Sequence, residues 1–220
     1  MNQLRLFGPL ALASVAALAA ATVVGYLAVP PETLMPVHWG PDGAADAFWP
    51  RNLALLMPPA ILAALWLVFA LVLSRGGEAD RARHGLRAAF AGIAALMAAI
   101  QIATIAIALG YPVDMVRVIA FCLAILFIGL GNIMPKSQPN SYAGFRLRWT
   151  LESPANWVAT NRFAGLLMMI GGVILALAAL FVVHPLWLFA AIALCTAGPC
   201  LAGIVYSYRF ARREKATRPS

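Results

Sequence analysis

Six apolar runs, each about the length of a bilayer-crossing helix, leave this chain few ways to fold. They span roughly Leu6–Val29, Leu53–Leu73, Ala88–Leu109, Val118–Ile133, Ala164–Val183 and Leu186–Tyr208. About 20 apolar residues in a helix cross the hydrocarbon of a membrane. There, every backbone N–H and C=O must bond within the segment, which selects helices. Composition agrees: 63% of the 220 residues are hydrophobic and 11% are charged, against about 25% charged in soluble domains. The expectation is an all-α membrane protein, a six-helix transmembrane bundle with no separate soluble domain. The first run follows Arg5 and contains small residues, as a signal peptide would. It exceeds the ~7–15 residues of a signal core and reads as a retained span. The fourth run is short, and Arg117 at its start reads as a snorkelling side chain that extends it.

Charge sets the orientation. With the N-terminus inside, the inner segments hold Arg5, then Arg75, Arg81, Arg83 and Arg87, then Lys136, Arg146, Arg148 and Arg162. The tail adds Arg209, Arg212, Arg213, Lys215 and Arg218. Only Arg51 and Arg117, of 16 Lys and Arg, fall outside. The positive-inside rule therefore predicts cytoplasmic termini. It places the Pro30–Asn52 loop outside and makes the Met134–Phe163 loop cytoplasmic. The net charge of +8 reads as topology and attraction to anionic lipid, with no direct nucleic-acid partner. Membrane lipids are the expected partners on this ground.

The remaining signals argue against catalysis. Cys122, Cys195 and Cys200 lie in apolar runs without C-x-x-C spacing and read as small core residues. His84 sits in the Arg-rich inner loop and reads as solvated; His184 caps a span before Pro185. No H-E-x-x-H, G-x-S-x-G or paired span carboxylates occur. No enzyme, cofactor or metal is expected. Coupled transporters place ionisable groups mid-membrane, and these spans offer little beyond Gln101 and Thr104. Pro58-Pro59 and Pro199 predict kinks in the second and sixth spans.

Two loops carry candidate sites. The outer loop, P-P-E-T-L-M-P-V-H-W-G-P-D-G-A-A-D-A-F-W-P-R-N, offers His38, Trp39, Asp42 and Asp46. His38 with Asp42 and Asp46 lacks the frame of a metal site. His38 is also a candidate sensor, because imidazoles titrate near neutral pH. Trp39, Phe48 and Trp49 read as headgroup aromatics, Pro41-Asp42-Gly43 as a turn, and the whole as a folded surface lid. Its P-x-H-W-G-x-x-G-x-x-D pattern resembles a short membrane-associated module of unknown function found in many bacterial membrane proteins.

The inner loop is expected to be ordered. Gln138-Pro139-Asn140-Ser141 is turn chemistry, and Gly144 permits a left-handed backbone. Ser153-Pro154 reads as an N-cap with proline in the first turn. Trp157, Asn161, Ala164 and Met168 then recur at helical spacing, so the fifth helix should begin near Pro154. Arg146 and Arg148 alternate with apolar residues. That alternation suggests a segment folded back on the bundle, its guanidinium groups donating to backbone carbonyls or to Glu152.

From Asn132 to Gly165 the order N-x-x-P-K-x-x-P-N-x-x-x-G-x-R-x-x-W-T-L, then W-x-x-T-x-R-x-x-G, resembles the SdpI family of bacterial immunity and signal-transduction proteins. The matching candidates are Asn132, Pro135, Lys136, Pro139, Asn140, Gly144, Arg146, Trp149, Thr150, Trp157, Thr160 and Arg162. The chain departs at Gln138 (usually basic in the family), Arg148 (usually proline) and Asn161 (usually histidine). The resemblance implies a multi-pass protein of the bacterial inner membrane that protects its cell from a secreted peptide toxin. It also implies a second role, holding a cytoplasmic transcriptional repressor at the membrane. The alternatives are a small-solute transporter and a structural membrane protein with no toxin partner. The expected division is a three-span region over 1–110 containing the 30–52 loop, an SdpI-like region over 111–208 containing the 132–165 motif, and a basic tail over 209–220.

Overall fold

The structure, a computed structural model, describes residues 8–217. Arg5 and Arg218, and the start of the first predicted run at Leu6, lie outside the described residues. In chain order the elements are α1 (Pro9–Ala28), β1 (Leu34–Trp39), β2 (Ala45–Pro50), α2 (Arg51–Ser74), α3 (Glu78–Ala108) and α4 (Met115–Ile133). A 3₁₀ turn (Met134–Lys136), a short α5 (Arg148–Glu152), α6 (Pro154–Phe181) and α7 (Pro185–Thr217) follow. Six of these helices (α1, α2, α3, α4, α6 and α7) are long and apolar enough to cross a membrane. The expected all-α bundle is therefore what forms.

Three apolar cores hold it among the described residues, one of them joining the end of α1, β1, α2 and α3 through Val29, Met35, Ala54, Leu55 and Ile105. Ala11, Leu18, Leu62, Phe90, Ala94 and Ala98 join α1, α2 and α3. Val116, Ala120, Ala124, Phe127, Leu175, Ala179, Leu188 and Cys195 join α4, α6 and α7. Half of the residues in these last two cores are alanine or cysteine, so backbones approach closely where lipid supplies no hydrophobic drive between helices. The tightest crossing is α4 on α6. A methyl group at Gly131 would stand 2.5 Å from the Gly165 carbonyl oxygen, and one at Gly165 would stand 2.6 Å from that of Gly131.

The bundle has a hairpin end and a basic end. The 30–52 loop is a lid, as expected, but it is built as an antiparallel β-hairpin, which the sequence reading missed. Leu34 pairs with Pro50 and Met35 with Trp49, with a register break around His38. Asp42 accepts a hydrogen bond from the Ala44 amide at 3.0 Å, and Gly43 turns the chain at φ +83°. Pro36 inside β1 is tolerated because a two-stranded ribbon has free edges.

The helix limits also shift. The basic helix start at Glu78 puts Arg81, Arg83, His84 and Arg87 on α3, not in a loop. The residues read as a separate tail, through Thr217, continue α7. At about 1.5 Å per residue, α7's 33 residues outlast the ~30 Å hydrocarbon. Pro58 and Pro59 lie within α2 and Pro199 within α7.

The two arginines that break the charge rule have structural work at the hairpin end. Arg51 donates to the Val29 carbonyl at 2.7 Å and lies over the Tyr26 ring at 5.2 Å. Arg117 donates to the carbonyls of Ala179 and Val182 and pairs with Asp114 at 3.3 Å. Each guanidinium sits among carbonyls that end a helix (α1 and α6), where a cation is favoured. Arg117 therefore ties α4 to α6; it does not simply snorkel to solvent.

Candidate functional site

The insert between α4 and α6 folds into a clasp held by side-chain-to-backbone hydrogen bonds. Asn140 is buried. Its Oδ1 accepts from the amides of Tyr142 and Ala143, both at 2.8 Å, and its Nδ2 donates to the Gln138 carbonyl at 2.8 Å. That closes the predicted turn. Gly144 follows at φ +104°. A methyl group there would stand 2.8 Å from Asn161 Oδ1 and 3.1 Å from the Trp157 ring. Both the left-handed backbone and the close approach therefore require glycine.

Beyond Gly144 the chain docks on α6 and α7. The Phe145 amide donates to Asn161 Oδ1 at 3.1 Å. The Phe145 ring fills the notch at Gly203, where a methyl group would lie 2.5 Å from it. Thr150, fully buried, accepts from the Leu147 amide at 2.9 Å and donates to the Phe145 carbonyl. Trp149 Nε1 donates to Ser207 Oγ at 3.0 Å, and its ring meets Tyr208 edge-on.

The clasp is also anchored from α6. Ser153 Oγ accepts from the Asn156 amide at 3.2 Å, and Pro154 opens the helix, as expected. Trp157 is 0% exposed, and its Nε1 donates to the Ser137 carbonyl at 3.0 Å. Thr160 donates to Asn156 Oδ1 at 2.8 Å, and Asn156 Nδ2 donates to the Ser207 carbonyl at 3.0 Å. Ser153 Oγ also donates to Glu214 at 3.1 Å, fixing the far end of α7.

Several candidates stay outside this network. Asn132, Lys136 and Arg162 are exposed. Pro135 sits in the 3₁₀ turn against Gly165. Pro139 contributes its carbonyl, which accepts from Arg81 at 3.5 Å. Arg146 is exposed and donates to the Ser141 carbonyl at 2.8 Å. Arg148 pairs with Glu152 at 2.9 Å. That hydrogen bond, and then the carboxylate's charge, hold the guanidinium above its usual range. Both acceptor types expected for these arginines are therefore used.

At the hairpin end, His38 Nδ1 and Asp46 Oδ1 stand 2.6 Å apart. Asp42 is taken up by its turn. Trp39 is partly buried and packs against the core of α4, α6 and α7; Phe48 and Trp49 are exposed. Among the described residues no group of three His, Cys, Asp or Glu is placed to hold a metal ion. A cleft of about 380 Å³ lies under the hairpin, lined by Trp39, Met57, Ile61, Met97, Ile119 and Phe189, with His38 at its edge.

Residues 136–207 match the family model described as the SdpI/YfhL protein family. This stretch is similar to the SdpI/YfhL family. It runs from the clasp through α6 and most of α7, so the resemblance read from the motif is borne out. The chain is also similar to the immunity protein SdpI of Bacillus subtilis (strain 168). Identity is 27% over 160 residues, covering 73% of this chain and 75% of that protein. No solved structure matches.

The two main departures from the SdpI pattern have physical accounts. Arg148 is the first residue of α5, a position where proline is well accommodated, so either residue suits the backbone. Asn161 uses one acceptor, for the Phe145 amide, and one donor, to the Trp157 carbonyl at 2.9 Å. A neutral imidazole also has one of each. Asn161→His is therefore expected to keep the clasp closed. Asn161→Leu should leave the Phe145 amide unpaired and cost about 1–3 kcal/mol. Chemical unfolding in mixed micelles compares the two.

Sequence reasoning missed Asn156 and Ser207, both fully buried. Their signal was present: polar residues close to apolar spans, with Asn156 one helical turn before Thr160.

Proposed function

We propose that this protein confers immunity on its cell against a secreted peptide toxin and meets that toxin at the hairpin end. The observation that carries this reading is the similarity to an immunity protein over 73% of the chain and 75% of that relative. The cleft under the hairpin supplies a suitable place. Its methionines and isoleucines adapt to apolar side chains of varied shape, and the hairpin roofs it at the rim of the bundle.

The orientation belongs to the same reading. All Lys and Arg except Arg51 and Arg117 fall at the basic end or beside it in the chain, which supports a cytoplasmic placement of that end in a bacterial inner membrane. The hairpin cleft then faces the side from which a secreted toxin arrives. Any repressor contact is assigned to the basic end, where Arg209, Arg212 and Arg213 offer charge for an acidic partner. Residues 1–110 would supply the toxin-facing roof, and residues 111–208 the SdpI-like half.

The test is complementation. The chain is expressed in Bacillus subtilis lacking its SdpI immunity protein, and survival is scored beside parental cells. The reading expects rescue by the wild-type chain and at least tenfold lower survival with Met97→Trp, which fills the cleft, at equal membrane abundance. Absence of rescue by a wild-type chain that reaches the membrane would count against the immunity reading. Full rescue by Met97→Trp would remove the cleft from it.

A further inference from the structure

A second cleft, of about 370 Å³, opens at the basic end between the start of α3 and the clasp. Arg81, His84, Lys136 and Ser137 line it, with Ile133 and Ala143 as its apolar wall. Among the described residues no carboxylate lines it; Asp80 is engaged by Arg83. Among the described residues, Lys136 and His84 have no ion-pair or side-chain hydrogen-bond partner. Arg81 reaches only the Pro139 carbonyl, at 3.5 Å. Three basic side chains thus line a space that no acid among the described residues fills.

The cleft is also positioned for a particular ligand. Ile133 is the last residue of α4, so the cleft lies where that helix leaves its apolar stretch. Gly85 and Ala143 are small and face each other: a methyl group placed at Gly85 would stand 3.6 Å from Ala143 Cβ. Their size keeps the space open. His84 also borders a neighbouring cleft with Arg87, whose Nε is buried and unpaired among the described residues. Positive charge therefore continues around this corner of the bundle.

We propose that this cleft binds the phosphate headgroup of an anionic phospholipid. Arg81 and Lys136 take the phosphate oxygens, Ser137 adds a hydroxyl, and Ile133 and Ala143 lie against the glycerol and upper acyl carbons. Arginine and lysine are the side chains suited to phosphate, and the apolar wall selects a lipid over a free ion. A lipid seated there would bridge α3 to the clasp, joining the two halves of the bundle at the basic end. The inference is independent of whether the protein confers immunity.

The test uses the full chain purified in detergent, with bound phosphatidylglycerol measured by native mass spectrometry against a phosphatidylethanolamine control. Wild type is expected to retain phosphatidylglycerol preferentially, and R81Q/K136Q to retain at least tenfold less. R212Q/R213Q removes the same charge from exposed positions on α7 and is expected to behave as wild type. Gly85→Leu, which fills the cleft without changing charge, should lower retention as R81Q/K136Q does. Equal loss in R212Q/R213Q would mean general surface charge and would overturn the site, as would unchanged retention in R81Q/K136Q. Displacement of the lipid by millimolar inorganic phosphate would assign the cleft to a free anion and overturn the lipid.

Discussion

Trp157→Ala is expected to open the clasp and destabilise the protein by about 3–5 kcal/mol, the range for removing a fully buried large aromatic side chain. The ring is entirely enclosed and faces the Gly144 backbone. Its Nε1 is the group from α6 that holds the Ser137 carbonyl, where the chain leaves the 3₁₀ turn. Truncation removes both the packing and the bond. Trp157→Phe keeps most of the packing and loses only the bond, at about 1 kcal/mol. Limited proteolysis is the direct readout, because residues 137–147 contain Arg146, a tryptic site. Trp157→Ala should be cleaved there rapidly, and Trp157→Phe should behave much like wild type. Equal resistance in all three would mean that Trp157 does not hold the loop.

Gly165→Leu is expected to separate α4 from α6. The two helices meet backbone to backbone at Gly131 and Gly165, where even a methyl group would stand 2.5–2.6 Å from the opposite carbonyl oxygen. Overpacking of this kind costs about 1–3 kcal/mol where neighbours can yield. Here the neighbour is backbone, so the upper end of that range is expected. Gly172 makes a second such contact, with a methyl group 2.8 Å from the Ala124 carbonyl oxygen. Gly129 is the control: nothing lies within 4 Å of a methyl group placed there, so Gly129→Ala should change stability by less than about 0.5 kcal/mol. Unfolding titrations in mixed micelles separate the two outcomes. A neutral Gly165→Leu would contradict the close crossing.

These expectations show what was legible in the residues and what was not. The helices were readable because hydrocarbon allows few other backbone solutions, and the apolar runs state their own lengths. The start of α6 was readable from Ser153-Pro154, since cap and first-turn chemistry are local. Within the clasp, the Asn140 turn and the Gly144 conformation were also local and visible.

What was hidden depended on partners far along the chain. Ser207 matters because Trp149 and Asn156 reach it from the clasp and from α6, and neither link has a sequence signature. The hairpin was hidden by Pro36, which argues against a strand, and by a register break that blurs the alternation around His38. Arg51 and Arg117 were counted as charges on the wrong side. Their carbonyl partners at the ends of α1 and α6 became apparent only in three dimensions.

The central claim is that the insert between α4 and α6 is a folded clasp and not a connecting loop. Hydrogen–deuterium exchange on the full chain in lipid nanodiscs measures this directly. The amides of Tyr142, Ala143, Phe145 and Leu147 each donate to a side-chain oxygen of Asn140, Asn161 or Thr150. They are therefore predicted to exchange at least a hundredfold more slowly than an unstructured peptide, and to lose that protection in Trp157→Ala. Exchange at the unstructured rate in the wild-type chain would contradict the account.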